Sequence, residues 1–196
     1  MTRRTPTGAA VLQPGITKAI TEAVLAELAE RGYARLSMEA VAKRAGVGKS
    51  ALYRRWPSKL NMTLAVVADF SVGRAEIPDT GSLAGDVRQS LESLTHWLSH
   101  PQFSRILADL VAEMGRNPEL GDFVEGMIGQ PRRARGRILL DRAIARGELD
   151  PDVDLEFALD LFPAPIYWRL LVRDGEIEPE YLDKLTDFII RGLGAH

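Results

Sequence analysis

The sequence predicts an all-α chain in two unequal parts, and three observations carry that prediction. Apolar residues return at three- and four-residue intervals from Ile16 almost to the C-terminus, with no competing alternation of period two. Ser, Pro and Gly punctuate these stretches where helices start and stop. Charge also divides the chain: residues 1–61 hold 11 Lys and Arg against 4 Asp and Glu, a balance of +7, whereas residues 62–196 hold 14 against 23, a balance of −9. A basic end on an acidic body suggests that one segment meets a polyanion.

The elements follow in order. After Pro14, the spacing of Ile16, Ile20, Ala23, Val24 and Leu28 predicts a first helix that stops at Gly32. Met38, Val41, Ala42 and Ala45 predict a second, capped by Ser37 and ended by Gly46 in a left-handed turn. A third short helix is expected over about 49–55, because Pro57 forces Trp56 out of helical conformation. Ser58 then caps a fourth, to about Arg74. The clearest loop is EIPDTGS, residues 76–82. Beyond it helices are expected at about 83–99, 102–115, 119–146 with a kink at Pro131, 153–173 disturbed by Pro163 and Pro165, and 179–192. The expected division is a flexible basic arm over 1–14, a three-helix head over 15–61 and a larger helical body over 62–196.

Composition removes several function classes. There is no cysteine, hence no disulfide, thiolate metal site or cysteine nucleophile. No apolar h-region follows Arg3 and Arg4, and no uncharged apolar run reaches the roughly 18 residues of a membrane span. A soluble, cytoplasmic chain is expected.

Two short helices joined by a glycine turn, the second of them basic, have the layout of a DNA-reading helix-turn-helix. Lys49 and Lys59 fall in the first turns of helices three and four, where the helix dipole disfavours a cation. A phosphate would reverse that penalty. With Leu52 turned inward, the outer face of helix three carries Lys49, Ser50, Tyr53 and Arg54. Such groups serve phosphates, guanine edges or a thymine methyl, and the sequence leaves open which does which. Arg3 and Arg4 fit either a minor-groove arm or disordered charge, and Lys43 and Arg44 suit the end of helix two with or without DNA.

At these residues the chain resembles the TetR family of transcriptional regulators. The likeness rests on ITKAITEAVLAELAERGYARLSMEAVAKRAGVGKSALYRRWPSKLNM, residues 16–62, and above all on AGVGKSALYRRWPSK. It implies that Ser37, Lys49, Ser50, Tyr53 and Lys59 occupy positions that touch DNA, while Leu52 and Trp56 pack. The family's usual tyrosine-histidine-phenylalanine ending of the reading helix is Arg54, Arg55, Trp56 here, which favours extra charge; Arg54 and Arg55 therefore join the DNA-binding candidates.

For the body, the resemblance at PRRARGRILLDRAIARGELDPDVDLEFALDLFPAPIYWRLLV implies a helical domain that binds an inducer and dimerises through its last two helices. Leu161, Ile166, Leu170, Leu185, Phe188 and Ile189 are the expected interface residues. Candidate residues for an apolar ligand are Trp97, Phe103, Leu107, Met114, Phe123, Met127, Phe162 and Tyr167, with Phe157 and Trp168 behind them, although core packing needs the same residue types. Arg132, Arg133, Arg135 and Arg137 are expected to be a solvated face. The expected function is a ligand-responsive homodimeric repressor, released from a palindromic double-stranded DNA operator by a small molecule. An activator or constitutive binder is the alternative. A metal-dependent enzyme using Glu92, His96 and His100 is a remote one, since no HExxH spacing is present. No catalytic residue, metal or cofactor is expected.

Overall fold

The computed structural model describes residues 14–72 and 77–195, so the basic arm with Arg3 and Arg4, and Arg74, lie outside the described residues. The described residues form helices without strands. The head comprises α1 (Pro14–Arg35), α2 (Met38–Ala45) and α3 (Lys49–Arg55). Its boundaries have the local causes read from the sequence. Ser37 Oγ accepts from the Ala40 N–H at 3.1 Å, and Gly46, at φ 66°, closes α2 onto the Lys43 carbonyl. Trp56 is extended, as a residue before proline must be.

Helix α4 (Lys59–Val72) begins where Ser58 Oγ accepts from the Asn61 N–H at 3.2 Å. It runs straight through the expected division at 61 and 62, so head and body share one rigid element. The body continues with α5 (Leu83–Leu98), α6 (Pro101–Met114), α7 (Pro118–Val124), α8 (Gln130–Ala145), α9 (Leu155–Leu161), α10 (Pro163–Tyr167) and α11 (Pro179–Gly192). Side-chain caps from Ser82, His100, Asn117 and Asp154 open α5, α6, α7 and α9.

Three expectations are corrected in detail. The first helix does not stop at Gly32. It breaks there, at φ 74° and ψ 168°, and resumes to Arg35. The break is stabilised from the body, where Asp109 on α6 accepts the Tyr33 N–H at 2.6 Å. Before Pro131 the structure has a π-helical turn over 125–129 that joins α7 to α8: the Gln130 N–H reaches back five residues to the Glu125 carbonyl, and Pro131, which has no N–H to donate, follows in the first turn of α8. The stretch 153–173 is likewise not one helix but α9, α10 and a π-helical turn over 168–172 that closes with the Arg173 N–H on the Trp168 carbonyl at 3.0 Å.

One apolar core runs through both parts, from Ile20, Val24 and Leu52 in the head past Leu64 and Val67 on α4 to Leu91, Leu110 and Leu140 in the body. Helix α1 packs against α6, and α11 against α5. The loop over 77–82 is pinned at Thr80, whose N–H and hydroxyl reach the buried Asp86 carboxylate at 2.6 and 2.8 Å.

Candidate nucleic-acid interface and ligand cavity

Helix α3 has two faces set by one residue. Leu52 is 0% exposed in the head core, and its burial turns Lys49, Ser50, Tyr53 and Arg54 into solvent; Tyr53 is 50% exposed. Lys43 on α2 is exposed as well. A large amphipathic ring left this open beside three cations and a hydroxyl makes a surface suited to phosphates and base edges.

Arg55, Lys59 and Ser37, the remaining DNA-binding candidates, are engaged within the protein, and Lys49 on the outer face has a protein partner too. Arg55 donates to Thr17 Oγ1 on α1 at 2.8 Å and lies over the Trp56 ring at 5.0 Å, which takes it off the outer face. Lys59 sends its ammonium back to the Tyr33 and Ala34 carbonyls at 3.0 and 3.2 Å, over the Tyr33 ring at 4.5 Å. Its charge thus rests at the negative end of α1, and the dipole penalty is met without a phosphate. Lys49 pairs with Glu39 at 2.6 Å, an exposed pair that a phosphate can replace at little cost. That hydrogen bond holds the Glu39 carboxyl below its ordinary range. Ser37 remains half-buried with its hydroxyl oxygen committed to the α2 cap. Arg44 forks onto Glu30 and reaches Glu27, an ion-pair cluster tying α2 to α1.

The body holds a partly open cavity of about 500 Å³ with an apolar wall that includes Phe70, Leu94, Trp97, Leu139, Leu159 and Phe162. Of the eight ligand candidates, Trp97 and Phe162 line it. Phe103 lies behind the wall, 4.3 Å from Trp97 and 5.5 Å from Phe70 between ring centroids. Leu107 is core, Met114, Phe123 and Tyr167 are half-buried against the core, and Met127 is exposed, as are Phe157 and Trp168. Periodicity marks which residues face inward, but filling a core and lining a hollow look alike in sequence. Phe70 is the aromatic residue that the sequence reading missed.

The arginines of α8 are also not a simple solvated face. Arg132, Arg133 and Arg135 line the cavity, whereas Arg137 pairs with Asp141 at 3.0 Å. The Arg132 guanidinium lies 3.7 Å over the Trp97 ring; burial first, then the like charge of Arg135, push it down to about 10, so it stays a cation at neutral pH. The suspected metal trio is divided: Glu92 pairs with Arg88 at 2.8 Å and His100 Nδ1 caps α6. Among the described residues no three metal-ligating side chains stand together, and no helix is long and apolar enough to cross a membrane.

Of the expected interface residues, Ile166, Leu185 and Ile189 are buried within the protomer. Leu185 and Ile189 belong to the face of α11 that is turned into the core, together with Leu182. Phe188 is 71% exposed, and Phe157, Trp168 and Val172 are each exposed as well.

The family model described as "Bacterial regulatory proteins, tetR family" matches residues 20–66, and "Tetracyclin repressor-like, C-terminal domain" matches residues 77–189. The HTH-type transcriptional regulator YdeS of Bacillus subtilis, itself uncharacterized, is 28% identical over 181 residues, 92% of this chain and 91% of its own. The DNA-binding transcriptional repressor TetR of Mycobacteroides abscessus is 28% identical over 173 residues, 88% and 90% of the two chains. Among solved structures, the TetR family transcription regulator SCO0332 aligns with a TM-score of 0.69 at 29% identity, covering 90% of this chain and 97% of that one.

Proposed function

The chain belongs to the TetR family of bacterial regulatory proteins, and on that premise we propose that it is a homodimeric repressor that leaves a palindromic operator when a small molecule fills its cavity. The observation that carries the DNA-reading half is the segregation on α3, with Leu52 sealed in the core and Lys49, Ser50, Tyr53 and Arg54 turned out together. These four side chains enter the major groove. Arg55 and Lys59 hold the head in shape instead.

A second copy covers Phe157, Trp168, Val172 and Phe188 on the last helices, because exposed apolar residues of this size are costly to leave in water. Two-fold pairing sets the two reading helices about 34–36 Å apart, one turn of DNA, and calls for a palindrome. A DNA partner favours work in the cytoplasm.

Release follows from two helices that reach from the cavity to one residue, Tyr33. Phe70, near the end of α4, lines the cavity, and Lys59 at its start grips the Tyr33 carbonyl. His100, which caps α6, also lines the cavity and meets Phe70 edge-on at 5.1 Å; Asp109 on the same helix holds the Tyr33 N–H. A ligand that displaces Phe70 moves α4, a rigid lever roughly 20 Å long, against α6 and tilts the head at Tyr33. It does so only by binding the tilted state better than the DNA-bound one.

The test is a gel-shift titration on DNA from upstream of the protein's own gene, across a salt series. A sequence-specific complex that weakens steeply with salt is expected. Indifference to sequence there and at neighbouring promoters overturns the reading.

A further inference from the structure

On the reading of the cavity as the ligand site, we propose that the ligand is an uncharged, largely apolar molecule whose hydroxyl or carbonyl oxygen is taken by Ser90 and Ser93 of α5. The charged groups that line the hollow are already engaged inside the protein. Arg133 is held by Glu156 and by Asp160, the latter at 2.6 Å. Arg132 lies 3.7 Å over the Trp97 ring, and both it and Arg135 have partners in the chain. Glu125 takes a hydrogen bond from Gln130 at 2.8 Å. An anionic ligand competes with these partners and meets Glu125 as a like charge, while a cationic one meets three arginines. A neutral ligand disturbs none of them.

The polar groups still open to a ligand are neutral and stand on one helix. Ser90, Ser93 and Trp97 fall at i, i+3 and i+7 of α5 and all line the hollow, with Leu94 beside them. Among the described residues the Ser90 and Ser93 hydroxyls have no hydrogen-bond partner, whereas the neighbouring Thr95 turns its hydroxyl onto the Leu91 carbonyl at 2.8 Å. A serine hydroxyl donates and accepts, so an uncharged oxygen satisfies it. Ser90 is half-buried and Ser93 exposed, which makes the bond to Ser90 the better shielded from water. Trp97 adds an independent sign, since its buried Nε1–H finds no acceptor among the described residues and indole nitrogen can only donate. An oxygen brought to this face supplies that acceptor. Phe70, Leu139 and Leu159 offer apolar surface to the rest of the ligand.

The experiment compares four probes built on one ring system, naphthalene, 2-naphthol, 2-naphthoate and 2-naphthylmethylammonium, at neutral pH by calorimetric titration and by release of bound operator DNA. The uncharged oxygen is expected to win: 2-naphthol should bind about tenfold more tightly than naphthalene and than either charged probe. Ser90→Ala should bring 2-naphthol within about threefold of naphthalene, and Ser93→Ala should narrow the gap less. Alanine favours a helix, so both variants are expected to fold, and the comparison on the unaltered chain decides if they do not. Either charged probe equalling 2-naphthol overturns the uncharged ligand. Naphthalene equalling it, or a gap that survives both serine substitutions, overturns the serine contact. Each of these outcomes leaves the cavity reading standing. If none of the four binds, the cavity reading falls and the proposal falls with it.

Discussion

Head and body hold their positive charge in opposite ways. On α2 and α3, Lys43, Lys49 and Arg54 stand exposed, and the nearest fixed partner, Glu39, is itself exposed. In the body, three arginines of α8 turn toward a cavity, and Arg132 is flattened on an indole where burial lowers its pKa. An exposed cation changes partners at little cost because water screens it before and after. A desolvated cation keeps a preference for one kind of partner. On the proposed reading, the head exchanges carboxylate for phosphate and the body chooses among ligands.

The contrast is broken most severely at the residue that orients α3. Leu52→Ala should lower unfolding stability by about 2–5 kcal/mol in a denaturant titration, and operator binding should fall with it. A fully stable variant would mean that the outer face of α3 is not set by Leu52. Next comes the joint between the two regions. Gly32→Ala meets a left-handed backbone and would place its Cβ 2.5 Å from Asp109 Oδ1, so a loss of about 1–3 kcal/mol is expected in thermal unfolding. Removing the carboxylate as well, with Asp109→Ala, should not restore the loss, because the positive φ remains.

Lys49→Ala probes the exchangeable charge. It should leave the melting temperature unchanged, weaken operator binding about tenfold at low salt, and lower the magnitude of the salt slope by about one. Lys59→Ala should do the reverse, costing stability because the carbonyl ends of α1 lose their cation, and leaving the slope nearly untouched. The smallest effect sharpens the comparison furthest. Glu39→Gln releases Lys49 from its protein partner, so operator affinity should rise by a small factor in a fluorescence-anisotropy titration with stability unaltered. A fall in affinity would show that Glu39 positions Lys49 for DNA and does not compete for it.

Much of the head is legible in its sequence. Ser37 and Ser58 cap the helices they precede, Gly46 takes the left-handed turn and Trp56 is extended before Pro57. Each of these depends on residues within four positions, and so does the inward turn of Leu52. The charge candidates divide by a different rule. Lys49, Ser50, Tyr53 and Arg54 are exposed as the helical period requires, but the Thr17 partner of Arg55 lies 38 residues away and the carbonyl partners of Lys59 lie 25 and 26 away. The body is less legible still, because its candidates were large apolar residues and most of these fill the core.

Periodicity, capping and proline geometry act over one or two turns, and for that reason the order of the helices, their inward faces and the basic character of α3 can be read without a fold. Which partner each charge meets is different in kind. Asp109 holds a peptide 76 positions away, and Arg132 lies on an indole 35 positions before it. No local signal encodes such pairs, since they arise only when the common core brings α1 onto α6 and α8 beside α5.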